Sequence, residues 1–258
     1  MADEFGVKME TICQILVEDL GKRKVASWFV PHALSVDQRH KHVQYATDII
    51  KTALRNKNVL NSIVAEDETW FFRCDPTTKC QSAEWKSPAS PKGKKFNLQK
   101  SKVKNMLVCF YNSKEIIHHE FVPGGQTLTG SFYLSVLERL WKRICHVQPE
   151  YSAPGSWFLL HENAPVHRAV AVQEFLVRKQ VCVFHQSSYS PDLYLCDYFL
   201  FPKLKLPLKG RLFEEVQDIQ AAVTSSLWSI PQEDVQRSFQ SLLDRATCCI
   251  DAEGMYFE

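Results

Sequence analysis

Three acidic residues of this 258-residue chain stand where their carboxylates could bind metal ions. They are Asp67, Glu162 and Asp197, with thirty-four residues between the last two. Carboxylate oxygens are the ligands that Mg²⁺ prefers, and two Mg²⁺ ions about 3.5–4 Å apart can activate an oxygen nucleophile and stabilise the departing oxygen of a phosphodiester. A simpler structural role is also open, since Asp67 could cap a turn. For Asp192, which lies in a Ser-Pro-Asp sequence, we favour a turn role over metal binding.

The segments around these acids have the patterns of strands and amphipathic helices. Short β-rich runs on both sides of Asp67 predict strands there, and a predicted strand over 157–160 ends just before Glu162. The other predicted elements are a hairpin across Asn112–Lys114, a helix over 127–147, a helix over 167–179 and a strand over 181–184. The order β-β-β-α-β-α-β-α by itself indicates a mixed α/β domain. Because a rigid sheet sets the spacing of residues at its strand ends, we expect the three carboxylates to converge on one face.

The first sixty residues follow a helical pattern. Residues 1–20 predict two short helices around Gly6–Lys8, which is typical of the turn and second helix of a helix-turn-helix. Ser35 is predicted to cap a helix that runs to about Leu54.

Positive charge is concentrated in one segment. The chain has a net charge of +2, but residues 75–105 carry eight lysines against Asp75 and Glu84, so this segment is +6 and the remainder −4. A basic segment in a mildly acidic protein indicates a polyanion contact confined to one surface, although a solvated loop would have the same composition. A span of about thirty residues without regular structure favours a functional insertion.

Other classes of protein are poorly supported. No run approaches about eighteen apolar residues, and the N-terminus lacks the features of a secretory signal, so we expect a cytosolic or nuclear protein without membrane contact. The nine cysteines are scattered and form no Cys-x-x-Cys, so most are expected to be buried small hydrophobes. Neither a Gly-x4-Gly-Lys phosphate loop nor a Gly-x-Ser-x-Gly motif occurs, which argues against a nucleotide cofactor and against an α/β-hydrolase.

Several ordered segments together resemble those of the mariner branch of the Tc1/mariner transposases. These segments are Asp67–Trp70, Gln81–Pro88, His118–Pro123, Glu162–His167, Tyr189–Leu193, Phe199–Leu204 and Tyr256–Glu258. In addition, Trp28–Leu34 is similar to the family's linker motif Trp-Val-Pro-His-Glu-Leu, with Phe29 added and Ala33 in place of the glutamate. Chance agreement at so many ordered positions is negligible.

The resemblance implies a division of the chain into domains. Residues 60–258 would form an RNase H-like catalytic domain, a mixed sheet flanked by helices, with a basic arm at 75–105. Residues 26–59 would form a linker and a helix. Residues 1–25 would be the end of a second, truncated helix-turn-helix, so weak sequence-specific recognition of transposon ends is expected.

The resemblance also implies a site and partners. Asp67, Glu162 and Asp197 would be the catalytic ligands of two Mg²⁺ or Mn²⁺ ions, for DNA cleavage and strand transfer at transposon ends in the nucleus. Glu68, His161 and His167 flank these acids, and we interpret them as packing or supporting residues. A homodimer would form through the Trp28–Leu34 linker and the basic arm. The predicted DNA-contacting residues are Lys86, Lys92, Lys94, Lys95, Lys100, Lys102 and Lys104.

The chain departs from the family pattern around the predicted site. Glu162 stands where the family has a second aspartate, and its longer side chain displaces the carboxylate by about one carbon–carbon bond. Ser187 and Ser188 replace a pair of prolines, and the family's proline before the third acid is absent from Leu193–Cys196. A misplacement of about 1 Å can cost on the order of a hundredfold in rate, so attenuated catalysis by a domesticated transposase is predicted. The alternatives are a catalytically inactive module for DNA binding or dimerisation, and a relic without selected function.

Overall fold

The structure is a computed structural model that describes residues 8–22, 30–56, 58–78, 82 and 99–257. The chain divides into two compact units, 1–33 and 34–258. In the smaller unit, α1 (Met9–Gln14) continues into a π-helical turn, Ile15–Asp19, so a helix is present where the second of the two N-terminal helices was predicted. The first predicted helix, and Trp28 and Phe29 of the linker motif, lie outside the described residues.

The larger unit contains a five-stranded sheet and helices on both of its faces. The strands are β1 (Ile63–Phe72), β2 (Lys104–Tyr111), β3 (Ile116–Val122), β4 (Phe158–His161) and β5 (Cys182–His185). The α-helices are α2 (Val36–Arg55), α3 (Gly130–Val147), α4 (Val170–Arg178), α5 (Phe201–Lys205), α6 (Val216–Trp228) and α7 (Gln232–Asp251). Short 3₁₀ turns lie at Val59–Ser62, Pro149–Ser152, Pro191–Leu193 and Leu206–Leu208, and a π-helical turn, Cys196–Leu200, leads into α5.

The sheet is mixed, with the strand order β3-β2-β1-β4-β5. The first three strands form an antiparallel meander, whose β2–β3 hairpin turns at 112–115, as the sequence predicted. β4 lies parallel to β1, and β5 lies parallel to β4. Parallel neighbours need a crossover, which α3 supplies between β3 and β4 and α4 supplies between β4 and β5. The predicted α/β class and the order of the elements are confirmed.

Each face of the sheet has its own hydrophobic core. Alternate residues of a strand point to opposite faces, so Val64 packs with α3 and α4 while Ala65 packs with α2, α6 and α7. The cap predicted at Ser35 is present as a capping box with Gln38, and Thr129 caps α3 by accepting the Phe132 N–H at 3.2 Å. None of the described helices is both long and apolar enough to cross a bilayer.

Three sequence predictions were wrong in detail. The residues around Asp67 form one continuous ten-residue strand, so Asp67 lies inside β1 and not between two strands. Asp197 lies in a helical turn, which leaves Glu162 as the one acid of the three that follows a strand end. The expectation that most cysteines are buried holds for four of the eight that the structure describes: Cys74, Cys109, Cys196 and Cys249.

Candidate active site

Asp67 is a buried carboxylate on the face of the sheet that packs against α2, α6 and α7. It pairs in register with Cys109 of β2, and only 7% of its surface is exposed. Its Oδ1 accepts the backbone N–H of Glu68 at 2.6 Å. Burial raises the pKa of Asp67 well above its usual range, and the negative charges of Asp197 and Glu162 raise it further. Within the described residues, no cationic side chain lies within ion-pair distance of it.

Glu162 enters the site from the end of β4, the parallel neighbour of β1. The register Ala65↔Leu160 places this strand end beside the middle of β1. Glu162 reaches solvent, but the protein groups around it partly desolvate its carboxyl group, which raises the pKa, and the charge of Glu68 acts in the same direction. His167 opposes this shift because it favours the charged carboxylate.

Asp197 enters from a third element, the π-helical turn before α5. It is partly exposed, and burial together with the charge of Glu162 raises its pKa to about 6. Lys205, one helical turn from α5's start, favours the ionised form. Asp197 and Lys205 line one open groove of about 390 Å³, together with Phe201, Leu206 and Lys209.

The three predicted acids therefore lie within electrostatic range of one another, although they come from a strand, a loop and a helical turn. Each pKa is raised, so holding the three carboxylates ionised together costs free energy. A divalent cation among them would offset that cost, and an all-oxygen donor set suits Mg²⁺ or Mn²⁺. The residues thus fit the metal ions that the resemblance implies. Asp192 lies elsewhere, in a 3₁₀ turn where it accepts the Phe257 N–H at 3.3 Å.

A polar network lies on the opposite face of β1, directly behind Asp67. Glu66 is fully buried there, with its Oε2 3.0 Å from the hydroxyl of Tyr133. The same hydroxyl is 3.2 Å from Nδ1 of His161. Burial and the charges of Glu68 and Asp67 raise the pKa of Glu66 well above its usual range, and its Oε1 has no hydrogen-bond partner. This network is thus built around a carboxyl group that favours its neutral form.

His167 connects that network to the candidate site. Its Nδ1 is 2.8 Å from the backbone carbonyl of Glu162, and its Nε2 is 3.1 Å from Oε1 of Glu68. The ring is 1% exposed and so has little freedom to turn. His167 therefore ties the loop that carries Glu162 to β1, which agrees with the supporting role expected for His167 and Glu68.

Glu66, His161 and His167 offer three ligand atoms within 4.8 Å of one another, which raises the question of a second metal site. The rings of His161 and His167 are stacked, with centroids 4.7 Å apart and planes 15° from parallel. Lone pairs of imidazole nitrogens lie in the ring plane, so two nearly parallel rings do not direct them at one point. The hydrogen-bond network accounts for this trio better than a metal ion does.

The structure describes the predicted basic arm only at 75–78, 82 and 99–105. Lys86, Lys92, Lys94 and Lys95 lie outside the described residues, and Lys102 is exposed. Nζ of Lys100 lies 3.9 Å from the ring centroid of Phe72, and Nζ of Lys104 lies 3.8 Å from that of Trp70. Lys104 is the first residue of β2, so the arm ends before the predicted boundary at 105.

A second basic segment was missed by the sequence analysis. Residues 201–213 contain Lys203, Lys205, Lys209 and Arg211 without an acidic residue. The chain runs here beside the end of β1, where Gly210 donates to the carbonyl of Asp75 at 2.7 Å. Burial lowers the pKa of Lys205. The charge of Lys100 lowers this pKa further, whereas the charge of Asp75 raises it. The signal that could have revealed this segment is its four basic residues without an acid, which begin at Lys203, six residues after Asp197.

The sequence of this chain is similar to those of known transposases. Residues 75–153 match the family model described as transposase, partial DDE domain. The chain is 27% identical over 260 residues to the mariner Mos1 transposase of Drosophila mauritiana, covering 100% of this chain and 74% of that protein. It is 28% identical over 262 residues to the human histone-lysine N-methyltransferase SETMAR, again over its whole length, but this spans 37% of SETMAR.

Solved structures of the Mos1 transposase have a similar fold. Three of its paired-end complexes, one with the left transposon end, one with Mn and one with Mg, each superpose with a TM-score of 0.87. Each is 26% identical, and the match covers 100% of this chain and 74% of that chain. Together with the mixed five-stranded sheet, these matches confirm the predicted RNase H-like fold.

Proposed function

We propose that this chain, a mariner-family transposase-like protein, binds DNA and cuts and transfers its strands at a site formed by Asp67, Glu162 and Asp197. The observation that carries the proposal is the electrostatic coupling of these three carboxylates, which come from separate elements: beyond the effect of burial, Glu162 raises the pKa of both Asp67 and Asp197, and Asp197 raises that of Asp67. Such a cluster of mutually repelling acids is typical of a functional site, since a stable core would exclude it.

Asp67, Glu162 and Asp197 are the residues that would hold the divalent ions. When bound, such ions supply an activated oxygen nucleophile and stabilise the charge of the departing oxygen. The carboxylate of Asp67 would be held in a fixed position, because Asp67 lies inside a central strand and has little exposure. His167 and Glu68 hold the backbone of Glu162, and the packed turn around Asp197 sets the direction of the third carboxylate.

DNA would be held by positive charge beside the acids. Lys205 and Lys209 line the groove that Asp197 also lines, and Lys100 lies within electrostatic range of Lys205. Backbone phosphates are bound by such lysines without regard to sequence. We include Lys86, Lys92, Lys94, Lys95, Lys100, Lys102 and Lys104 among the residues that bind these phosphates.

The same proposal extends to domains, assembly and compartment. Residues 60–258 would form the catalytic domain, 26–59 the linker and helix, and 1–25 a helix-turn-helix segment. The Trp28–Leu34 linker and the basic arm would hold two copies together on DNA in the nucleus. We further propose that catalysis is attenuated, because Glu162 is longer than the aspartate that mariner transposases have at this position.

A second candidate function is a DNA-binding module that does not cut. Glu162 favours it, since this departure falls on one of the three acids themselves. The two functions differ in whether the acids are needed: a binding module loses nothing when Asp67 is neutralised, whereas a nuclease loses its activity.

A nicking assay on supercoiled plasmid DNA tests the proposal, with the full chain in Mg²⁺ or Mn²⁺ and in EDTA. We expect slow nicking that is fastest in Mn²⁺, abolished by EDTA, and abolished by Asp67→Asn or Asp197→Asn while DNA binding persists. The matched control is Asp244→Asn, an exposed acid of α7, which should leave nicking unchanged. Nicking that survives Asp67→Asn would refute the site, and DNA binding without any nicking by the parent would favour the binding module.

A further inference from the structure

β3 is an edge strand of the sheet, and one side of its backbone is unpaired. β2 occupies its inner side, with Val108 opposite Glu120 and Cys109 opposite His119. Within the described residues, no hydrogen bond reaches the outward-facing backbone groups of 117–121. Unpaired edge groups are a ready template for another strand, and proteins usually protect them with a covering element, a bulge or a proline. The register with β2 shifts at Ile117, which bulges the start of this strand. Neither a proline nor a covering element protects the outer side of 118–121 in the part of the chain that the structure describes.

A groove of about 530 Å³ surrounds this edge. It is lined by residues of β3 itself, by α3 on one face of the sheet and by Trp228 at the end of α6 on the other face. The groove therefore straddles the strand edge, which is the position that an added strand would occupy. It is separate from the three acids, because β2 and part of β1 lie between them.

The α3 side of the groove is cationic. Arg139, Lys142, Arg143 and His146 are exposed and follow the i, i+3, i+4, i+7 spacing of one helical stripe. Arg139 is already bound to Glu120 of β3, through hydrogen bonds of 2.6 and 2.7 Å. Lys142 and Arg143 have no acidic partner within ion-pair distance among the described residues. The stripe extends over about 10 Å of helix, which matches about three residues of an extended strand.

The α6 side of the groove is aromatic. Trp228 is 60% exposed, and its ring lies 6.1 Å from that of His119, edge to face. His119 also contacts the ring of Phe121 at 6.2 Å. A large exposed indole beside an unpaired strand is typical of a contact surface, since aromatic residues are enriched at the centres of interfaces.

We propose that β3 binds an extended acidic segment of a partner protein as an added sixth strand. In a strand, alternate side chains point to opposite faces, so the segment would carry acidic residues on the Lys142 and Arg143 side and apolar residues on the Trp228 side. A peptide backbone satisfies the alternating N–H and C=O groups of the edge, which a nucleic acid does not. Charge complementarity and the unpaired backbone together select this occupant.

The test uses the full chain and a fluorescent peptide of about eight residues that alternates glutamate with valine or phenylalanine. We expect saturable binding by fluorescence anisotropy, and binding about tenfold weaker for the double variant Lys142→Glu/Arg143→Glu. Lys51→Glu/Arg55→Glu is the matched control, because it reverses an exposed Lys and an exposed Arg on α2. Trp228→Ala should also weaken binding, whereas the α2 control should not.

A second peptide tests whether the backbone is recognised. Methylating alternate backbone nitrogens on the edge that faces β3 should abolish binding, and methylating those on the other edge should leave it intact. Equal binding of a scrambled peptide, equal effects of the two methylations, or no saturable binding would overturn the proposal. The proposal would also be overturned if single- or double-stranded DNA displaced the peptide and bound the Lys142→Glu/Arg143→Glu variant more weakly. That result would assign the groove to nucleic acid.

Discussion

The hydroxyl of Tyr194 donates a hydrogen bond to the backbone carbonyl of Glu66, and so fastens the approach to Asp197 onto β1 beside Asp67. The loop that carries this tyrosine lacks prolines that the mariner family has there. Leu193, Tyr194, Leu195 and Cys196 are nevertheless almost completely buried. Packing and the hydrogen bond of Tyr194 thus give residues 193–196 a defined path without the prolines of the family.

Tyr194→Phe tests whether this hydrogen bond positions Asp197. The change leaves a buried carbonyl without its donor, so the free energy of unfolding should fall by about 1–3 kcal/mol in urea denaturation. Mn²⁺ binding, measured by calorimetry, should weaken severalfold because Asp197 loses its anchor. The control is Tyr151→Phe, which removes a similar bond from a buried tyrosine to the carbonyl of Asn61, far from the acids. An equal loss of Mn²⁺ affinity in both variants would contradict the positioning role.

Glu162→Asp should increase nicking by about one to a few orders of magnitude, each tenfold step representing about 1.4 kcal/mol of transition-state stabilisation. The shorter side chain restores the carboxylate position of the family. Correcting a displacement of about 1 Å can raise the reaction rate by up to about a hundredfold. The gain should be larger in Mg²⁺ than in Mn²⁺, because Mg²⁺ demands more regular ligand geometry. The increase is measured from initial nicking rates on supercoiled plasmid. Glu162→Gln should nick more slowly than the parent. If Glu162→Asp binds metal and DNA but cuts no faster, the defect lies in the loop before Asp197.

The raised pKa of Asp197 predicts a pH-dependent stability in metal-free protein. Its folded-state pKa of about 6 exceeds the ordinary value of 3.8, so ionising it costs stability above about pH 6. That cost disappears as the pH falls towards 4, where the carboxyl group is protonated in the native state. In EDTA, Asp197→Asn should therefore be more stable than the parent at pH 8 by about 1–2 kcal/mol, allowing for partial exposure, and equal to it near pH 4. Thermal unfolding across this range measures the difference; a constant difference would show that charge is not its cause.

Replacing Lys92, Lys94 and Lys95 by alanine should weaken DNA binding without regard to sequence. The slope of log affinity against log salt concentration should become less negative by about 0.9 for every phosphate that a lysine no longer neutralises. Anisotropy of a labelled duplex at several salt concentrations measures both effects. Lys41→Ala, an exposed lysine of α2, is a suitable control and should leave the slope unchanged. An unchanged slope in the triple variant would mean that the arm serves contact between subunits or has no role in binding.

Much of the local structure could be predicted because its causes are local. Ser35 and Gln38 form a capping box from residues three apart, and the apolar spacing of α3 identifies its buried face before any packing is known. The β2–β3 hairpin follows from two apolar runs around a short polar turn. The candidate acids were identified through the family resemblance, and Glu162 is the one of the three that differs from the family in residue type.

The arrangement of the site was decided by the tertiary structure. Glu66 and Asp67 are neighbours in the chain, but strand alternation sends one into the network of Tyr133 and the other towards Asp197. The sequence predicted Asp67 at a strand end, because the acidic residues interrupt the apolar pattern that marks a strand. Pairing with both β2 and β4 carries β1 through that interruption. His167 and Glu68 share a hydrogen bond although they are 99 residues apart in the chain. Lys205 and Asp67 interact electrostatically across a larger separation in sequence. Such neighbours depend on strand order and helix packing, which are set by the whole core and by no single segment.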